Sequence, residues 1–201
     1  MLALNDGSGM IVKQSIAILE YFEELYAADT EAGKYPSPLI GRTTQERAKV
    51  RQLLLIAEEV IDAFGYTYRF GSIGEAMSGR STPNPLAARQ AVSVIHEKLD
   101  ILESYVDPVK ENGSAMLVHL EHPKDYLFLA DCVLFASLQY LKDQYEIEMI
   151  EEKYERLRLW YEEMSKRESA VVEGEYSEEL KQIGREWIES GNFWTEINKA
   201  V

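Results

Sequence analysis

The chain has 201 residues, of which 46% are hydrophobic and 10% aromatic, so it is long enough to bury the core of one globular domain or slightly more. Its 35 acidic and 21 basic residues give a net charge of −14, which repels phosphate backbones and anionic lipids. We therefore expect neither nucleic acid nor a membrane surface as a partner, whereas a small anion could still bind through local donors.

The single cysteine, Cys132, lies in the apolar run LADCVLF, which predicts a buried, protonated thiol and not a nucleophile. One cysteine cannot form a disulfide within the chain, as is typical of a reducing compartment. The N-terminus has no basic region, and Asp6 interrupts its short apolar start, so no signal peptide is predicted. The longest apolar stretch, 126–141, contains Asp131 and is shorter than the about 20 residues of a membrane span. These features favour a cytoplasmic protein.

Residues 1–28 predict two short strands followed by a helix. The segment LALNDGSGMIV predicts a hairpin with its turn at DGSG and strands of about four residues, and a helix runs from about Ser15 to Ala28. A two-stranded hairpin is marginal alone and has to pack on another element. The stretch 29–42 contains two prolines and two glycines and predicts a linker to a second unit at 43–201.

The second unit shows helical patterns throughout. Thr43 and Glu46 form a capping box for a helix that could continue to Phe70, bent near Gly65. Its predicted inward face is Val50, Leu53, Leu54, Ala57, Ile61 and Phe64.

Further helices follow along the chain. Asn84 is expected to cap a helix with Pro85 at its first position, and Pro108 ends it. The helix around LFLADCVLFASLQYLKD is apolar nearly all round, which predicts a place at the centre of a bundle. The next predicted helix has an inward face formed by Tyr154, Leu157, Tyr161 and Met164. The last is capped by Ser177 and ends at Gly191, so five or six helices follow the linker.

This order of elements resembles the glutathione S-transferase superfamily. LALNDGSGMIVKQSIAILEYFEELY is similar to the last β-β-α unit of the family's thioredoxin-like domain, which carries a Glu/Gln-Ser pair before its helix. QERAKVRQLLLIAEEV is similar to the first helix of the all-helical domain, ADCVLFASLQYL to its central helix, and YERLRLWYEEMSKRESA to the helix after that. The resemblance implies a mainly α fold, in which a glutathione S-transferase C-terminal helical bundle follows a truncated thioredoxin-like element.

Gln14 and Ser15 stand where the second strand gives way to the first helix. A helix N-terminus presents unpaired N–H groups and partial positive charge, to which Ser15 adds a hydroxyl and Gln14 an amide. The spacing of these residues along the sequence, taken alone, favours a Ser15 that only caps its helix and a Gln14 that is a solvated surface residue. The resemblance implies instead that the pair holds the γ-glutamyl group of glutathione, which would serve as co-substrate.

The sequence departs from the family pattern in three places. The family's initial β-α-β unit, which supplies the residue that activates the glutathione sulfur, would precede Met1, so the catalytic residue is unknown. Leu2 stands near the position of the family's usual cis-proline. Phe128 replaces the Ser/Thr that caps the central helix with Asp131, which predicts a half-missing cap at a cost of about 1 kcal/mol. Either the sequence starts late, or the hairpin packs on the body or on a second subunit; its open edge favours a homodimer.

A second candidate region is IDAFGYTYRFGS at the end of the first long helix. The resemblance implies that Tyr66, Tyr68, Arg69 and Phe70 line a pocket for a hydrophobic co-substrate. A plain aromatic helix end is the alternative. Trp194, in the C-terminal segment, could fold over the same pocket as a lid or belong to a loosely packed tail. His119 and His122 have no third ligand nearby, so no metal site is predicted.

The resemblance implies a glutathione-dependent enzyme that uses thiolate on a hydrophobic electrophile, with conjugation as the usual outcome. A glutathione-dependent cis–trans isomerase of an activated alkene is one alternative. A non-catalytic module for dimerisation or binding is the other, favoured by the absence of the activating segment and disfavoured by Gln14 and Ser15.

Overall fold

The computed structural model of the protein describes residues 2–3, 9–31, 39–70, 84–106, 127–171 and 177–189. Several sequence-based predictions fall outside the described residues: turn residues 6–8, residues 32–38 of the 29–42 linker, Pro108, His119, His122, Gly191 and Trp194.

A very small antiparallel sheet opens the described chain. β1 (Leu2–Ala3) pairs with β2 (Ile11–Val12), with Leu2 opposite Val12. The hairpin is confirmed, and the described part of the chain contains two residues of each strand. Among the described residues, the sheet consists of these two strands and no third. A sheet of this size is marginally stable alone and depends on packing against other elements.

The first helix, α1 (Ser15–Glu31), follows β2 directly and confirms the β-β-α order; it extends three residues past the predicted end. Ile16 and Leu19 pack against the core of the following helices. An ion pair joins Glu20 to Arg51 at 3.0 Å. α1 therefore rests on the helical body through one apolar strip and polar contacts at its side.

The next helix, α2 (Thr44–Phe70), begins at the predicted capping box. The Glu46 N–H donates to Thr43 Oγ1 at 3.1 Å, and Glu46 Oε2 accepts from the Thr43 N–H at 3.3 Å. The helix continues through Gly65 to Phe70, as predicted. Its buried residues are Val50, Leu53, Leu54, Ala57, Val60, Ala63, Phe64 and Thr67.

The following helix, α3 (Pro85–Tyr105), has the predicted cap: Asn84 Oδ1 accepts from the Ala87 N–H at 3.1 Å, and Pro85 is the first helical residue. Its whole predicted face is buried: Ala88, Val92, Ile95, Leu99, Leu102 and, just past its end, Val106. Among the described elements, α3 and α2 form the most extensive helix pair.

The central helix, α4 (Leu129–Tyr145), starts at the predicted half cap. The Phe128 N–H donates to Asp131 Oδ2 at 3.0 Å, while the phenylalanine side chain provides no acceptor in return. The second carboxylate oxygen accepts from the Trp160 Nε1–H at 3.0 Å. Asp131 and Trp160 are both fully buried, so this carboxylate is satisfied from two helices.

Two further helices complete the described body. α5 (Glu155–Ser165) is followed by a single 3₁₀ turn (Glu168–Ala170), and then by α6 (Glu178–Glu189). α6 crosses α4 at Gly184, where an added Cβ would overlap the backbone carbonyl of Tyr145. This backbone-to-backbone approach requires glycine.

The architecture is mainly helical, as predicted, with one core shared by α2, α3, α4 and α5. The largest fully buried side chains are Leu53, Leu54, Ile95, Leu99, Leu102, Phe128, Leu134, Ile147, Tyr154 and Trp160. Of the helices that the structure describes, none is both long enough and apolar enough to cross a bilayer.

Candidate functional site

The connection between β2 and α1 holds Gln14 in an unusual backbone conformation. Its φ is +73°, in the left-handed region that residues with side chains seldom adopt. The Gln14 carbonyl accepts from the Ile18 N–H at 3.1 Å, so Gln14 occupies the N-cap position and Ser15 is the first helical residue. Ser15 is therefore not the cap, contrary to the interpretation that spacing alone favoured.

The N-terminus of α1 is open to solvent. Gln14 and Ser15 are both exposed, and neither side chain hydrogen-bonds to another described residue. The first amides of a helix lack intrahelical partners and carry partial positive charge. The end of α1 therefore presents a hydroxyl, a carboxamide and unpaired N–H groups, a set of donors that suits a carboxylate.

Tyr66 and Phe70 form an aromatic shelf on the α3 side of α2. Their rings are parallel within 2°, with centres 6.1 Å apart, and the Arg69 guanidinium lies 5.9 Å from the Phe70 ring centre. The shelf is part of an open cavity of about 370 Å³ between α2 and α3. The other lining residues are Glu59, Asp62, Ala63, Ala87, Gln90, Ala91 and Val94.

Tyr68 packs on a different neighbour. Its ring centre lies 6.3 Å from that of Tyr145 in α4, and Tyr140 contacts the same Tyr145 ring edge-on at 6.0 Å. Burial raises the pKa of the Tyr68 phenol, with a further contribution from Tyr140, so this phenol stays protonated at neutral pH.

The predicted pocket is thus divided. Tyr66 and Phe70 lie together beside α3, and Tyr68 lies beside α4. Arg69 is exposed near the Phe70 ring and does not line the cavity, and Trp194 is outside the described residues.

A second cavity, of about 250 Å³, lies between α2 and α4. Its walls are almost entirely apolar and include the half-buried Ile61, which was predicted to face the core, and the partly exposed Tyr140. Tyr68, Tyr140 and Tyr145 form a cluster because α4 packs against α2. The positions of these tyrosines along the sequence did not predict it.

The two predicted parts of the site do not share a cavity. Neither Gln14 nor Ser15 lines the cavity at Tyr66. The ion pair between α1 and α2 involves Arg51, which precedes Tyr66 by 15 residues, or about 22 Å of helix.

The cysteine prediction is confirmed for the protonated state of the thiol but not for its complete burial. Burial raises the pKa of the Cys132 thiol to about 11, so the thiol is protonated at neutral pH, although the side chain is only partly buried. Among the described residues, no three His, Cys, Asp or Glu side chains are grouped as a metal site would need.

No protein-family model matches the chain, and no curated protein matches it in sequence. A solved structure does match in fold: a glutathione transferase family member from Pseudomonas fluorescens Pf-5, with bound S-(propanoic acid)-glutathione. The match has a TM-score of 0.58 and 19% sequence identity, and covers 84% of this chain and 73% of that one. The protein therefore has the fold of a glutathione transferase family member, and the predicted fold class is confirmed.

Proposed function

We propose that the protein is a glutathione S-transferase-like enzyme that binds glutathione at the N-terminus of α1. The observation that carries this proposal is the open helix end with Gln14 at the N-cap and Ser15 beside it. Its support is the shared fold with a protein that holds a glutathione conjugate. The α-carboxylate of the γ-glutamyl group would accept from Ser15 and from the first amides, and the α-amino group would donate to the Gln14 carboxamide oxygen.

The proposed reaction uses the sulfur of the bound tripeptide. Loss of the thiol proton gives a thiolate, whose electron pair forms a carbon–sulfur bond while a leaving group departs or an activated alkene takes up the electrons. Conjugation is the proposed outcome. Expulsion of the same thiolate after bond rotation would instead isomerise the alkene. The aromatic shelf of Tyr66 and Phe70, with Arg69 nearby, is the proposed contact surface for the hydrophobic electrophile. Tyr68, on the α4 side of α2, is not part of this surface.

A non-catalytic module is the second candidate, and a specific feature favours it. The hairpin and α1 expose large apolar side chains: Met10, Ile11, Phe22, Leu25 and Tyr26. Such a surface, beside an open sheet edge, fits contact with a second copy of the chain or another protein. We include a homodimer and a cytoplasmic location, where glutathione keeps thiols reduced, in the proposal.

A calorimetric titration with glutathione tests the proposal. We expect millimolar or tighter binding, weakened about fivefold to tenfold by Ser15→Ala, because one hydrogen bond to a charged group is lost. Ser93→Ala is the matched control, since the Ser93 hydroxyl bonds to the Arg89 carbonyl of its own helix. No heat with glutathione, or equal weakening by both variants, would overturn the binding site. Binding without turnover of an electrophilic chloronitroarene would favour the module.

A further inference from the structure

Among the described residues, those that line the cavity beside the aromatic shelf carry charge of one sign only. The cavity has a volume of about 370 Å³, within the range of about 300–1,000 Å³ that is usual for small-molecule sites. Its charged side chains are Glu59 and Asp62, both on α2, and no Lys, Arg or His of the described chain lines it. The cavity therefore offers carboxylates to a positive charge and no cationic partner to a negative one.

The carboxylate of Asp62 is not neutralised. Asp62 is exposed and makes neither an ion pair nor a hydrogen bond with another described residue. Burial raises the pKa of Glu58, one helical turn earlier, and the negative charge of Asp62 raises this pKa further. A cation bound near Asp62 would relieve this repulsion between carboxylates.

The carboxylate of Glu59 is neutralised only in part. The Lys98 ammonium group on α3 lies 2.8 Å from a Glu59 oxygen and 3.0 Å from a Glu97 oxygen. One positive charge is therefore shared between two negative ones. The group of three keeps a net negative charge at the edge of the cavity.

Two arginines of the same helices do not change the sign of this charge. Arg69 is exposed, does not line the cavity, and lies 5.9 Å from the Phe70 ring centre, near the limit of about 6 Å for a cation–π contact. Arg89 precedes the lining residue Gln90 but does not itself line the cavity. Neither arginine forms an ion pair with Glu59 or Asp62. The lining thus remains acidic.

The rings of Tyr66 and Phe70 are the second feature of the cavity. They are parallel within 2°, and Tyr66 is 54% exposed, which is high for a large aromatic side chain. The face of an aromatic ring carries partial negative charge, so it attracts cations as well as other flat rings. Ring faces and carboxylates of one cavity therefore favour the same kind of ligand.

We propose that the shelf binds a cation with a planar aromatic body, so that the electrophile of the proposed reaction is positively charged. The ring system of the ligand lies on Tyr66 and Phe70, and its positive charge lies near Asp62 and Glu59. The role of this ligand as an electrophile rests on the proposed function, whereas its charge follows from the cavity alone. A neutral aromatic molecule would contact the rings without gaining from the carboxylates, and an anionic one would be repelled.

Three ligands with one ring system test the charge. N-methylquinolinium, quinoline and quinoline-6-carboxylate are cationic, neutral and anionic at pH 7.5, and each is titrated into the full chain by calorimetry at low salt without glutathione. We expect N-methylquinolinium to bind about fivefold to tenfold more tightly than quinoline, and the carboxylate to bind more weakly than quinoline. Absence of N-methylquinolinium binding, or equal binding of quinoline, would overturn the proposal.

Two substitutions locate the bound cation. Asp62→Asn should weaken N-methylquinolinium binding about threefold to fivefold and leave quinoline binding unchanged, and Tyr66→Leu should weaken the binding of both ligands. Glu24→Gln, at an exposed carboxylate of α1 that does not line the cavity, changes the net charge of the chain equally and should have no effect. Equal weakening by Asp62→Asn and Glu24→Gln would show a response to net charge alone and would overturn the site. Circular dichroism melting verifies that each variant is folded.

A glutathione titration of the same protein separates this proposal from the proposed function. Glutathione binding that depends on Ser15, without a preference for N-methylquinolinium over quinoline, would support the proposed function and overturn the charge of its electrophile. A preference for N-methylquinolinium that depends on Asp62, without glutathione binding, would overturn the enzyme and support a cavity for aromatic cations.

Discussion

The N-terminal unit and the helical body use apolar residues in opposite ways. Between Gly9 and Tyr26 no described side chain is buried, and Leu25 is 54% exposed. In the body, by contrast, Leu54 is 1% exposed and Trp160 is fully buried. Folding stability therefore resides in the body, while the hairpin and α1 present polar donors and apolar surface to possible partners. Substitutions in each region test this difference.

The largest effect is expected at Asp131. Asp131→Ala removes a buried carboxylate and leaves the Phe128 N–H and the Trp160 indole N–H without an acceptor. We expect a loss of about 4 kcal/mol in the free energy of unfolding, measured by urea denaturation. Asp62→Ala, at an exposed carboxylate of α2, serves as the control and should change stability by less than about 0.5 kcal/mol. Similar losses in both variants would contradict this account of Asp131.

A matched pair of leucines tests the comparison itself. Leu54→Ala should lower the free energy of unfolding by about 3 kcal/mol because it opens a cavity in the core. Leu25→Ala removes the same atoms from an exposed position and should cost less than about 0.5 kcal/mol. A large loss for Leu25→Ala at all protein concentrations would show that α1 is buried in solution. A loss that is present at high protein concentration and shrinks on dilution would indicate that a second copy of the chain covers it.

Gln14→Gly should separate binding from stability. Glycine adopts a φ of +73° without the steric cost that glutamine bears, so the variant should be more stable by up to about 1 kcal/mol. The same change removes the carboxamide proposed to meet glutathione and should weaken binding severalfold in calorimetry. A variant that is less stable yet binds normally would contradict both expectations.

The smallest expected effect is a pH dependence in the body. Burial lowers the pKa of His96, whose Nδ1 lies 3.1 Å from the Tyr154 hydroxyl across the α3–α5 contact. The unfolded chain keeps the ordinary histidine pKa of about 6.5, so it binds more protons than the folded chain below that pH. This contribution is fully present above about pH 6.5 and is lost as the pH falls toward the lowered pKa of the folded state.

We measure the free energy of unfolding by urea denaturation at pH 7.5 and at pH 5.5. The decrease between these two pH values should be smaller in His96→Asn than in the unmodified protein, by under about 1 kcal/mol. All other titrating groups are shared by the two proteins, so their difference reports on His96. Identical pH profiles would show that His96 titrates alike in the folded and unfolded chains.

Features set by neighbouring residues were predictable from the sequence. The Thr43 and Glu46 capping box and the Asn84 cap each depend on groups three residues apart, and the buried face of α3 depends on helical periodicity alone. Local rules suffice wherever the partners belong to the same turn of helix.

Features set by packing between helices were not predictable. The bond from Trp160 to Asp131 joins residues 29 positions apart, and the division of Tyr66 from Tyr68 follows from which helix covers each side of α2. The left-handed conformation of Gln14 was missed for a different reason: glutamine, unlike glycine or asparagine, gives no signal for it.

The missing side chain at Gly184 has a consequence for how this chain can vary. Because a Cβ there would overlap the Tyr145 carbonyl, moving α6 by one residue along its axis would replace the permitted contact with a forbidden one. We therefore expect insertions and deletions within α6 to be poorly tolerated. Among the described helices, α6 therefore has one permitted position along its axis against α4.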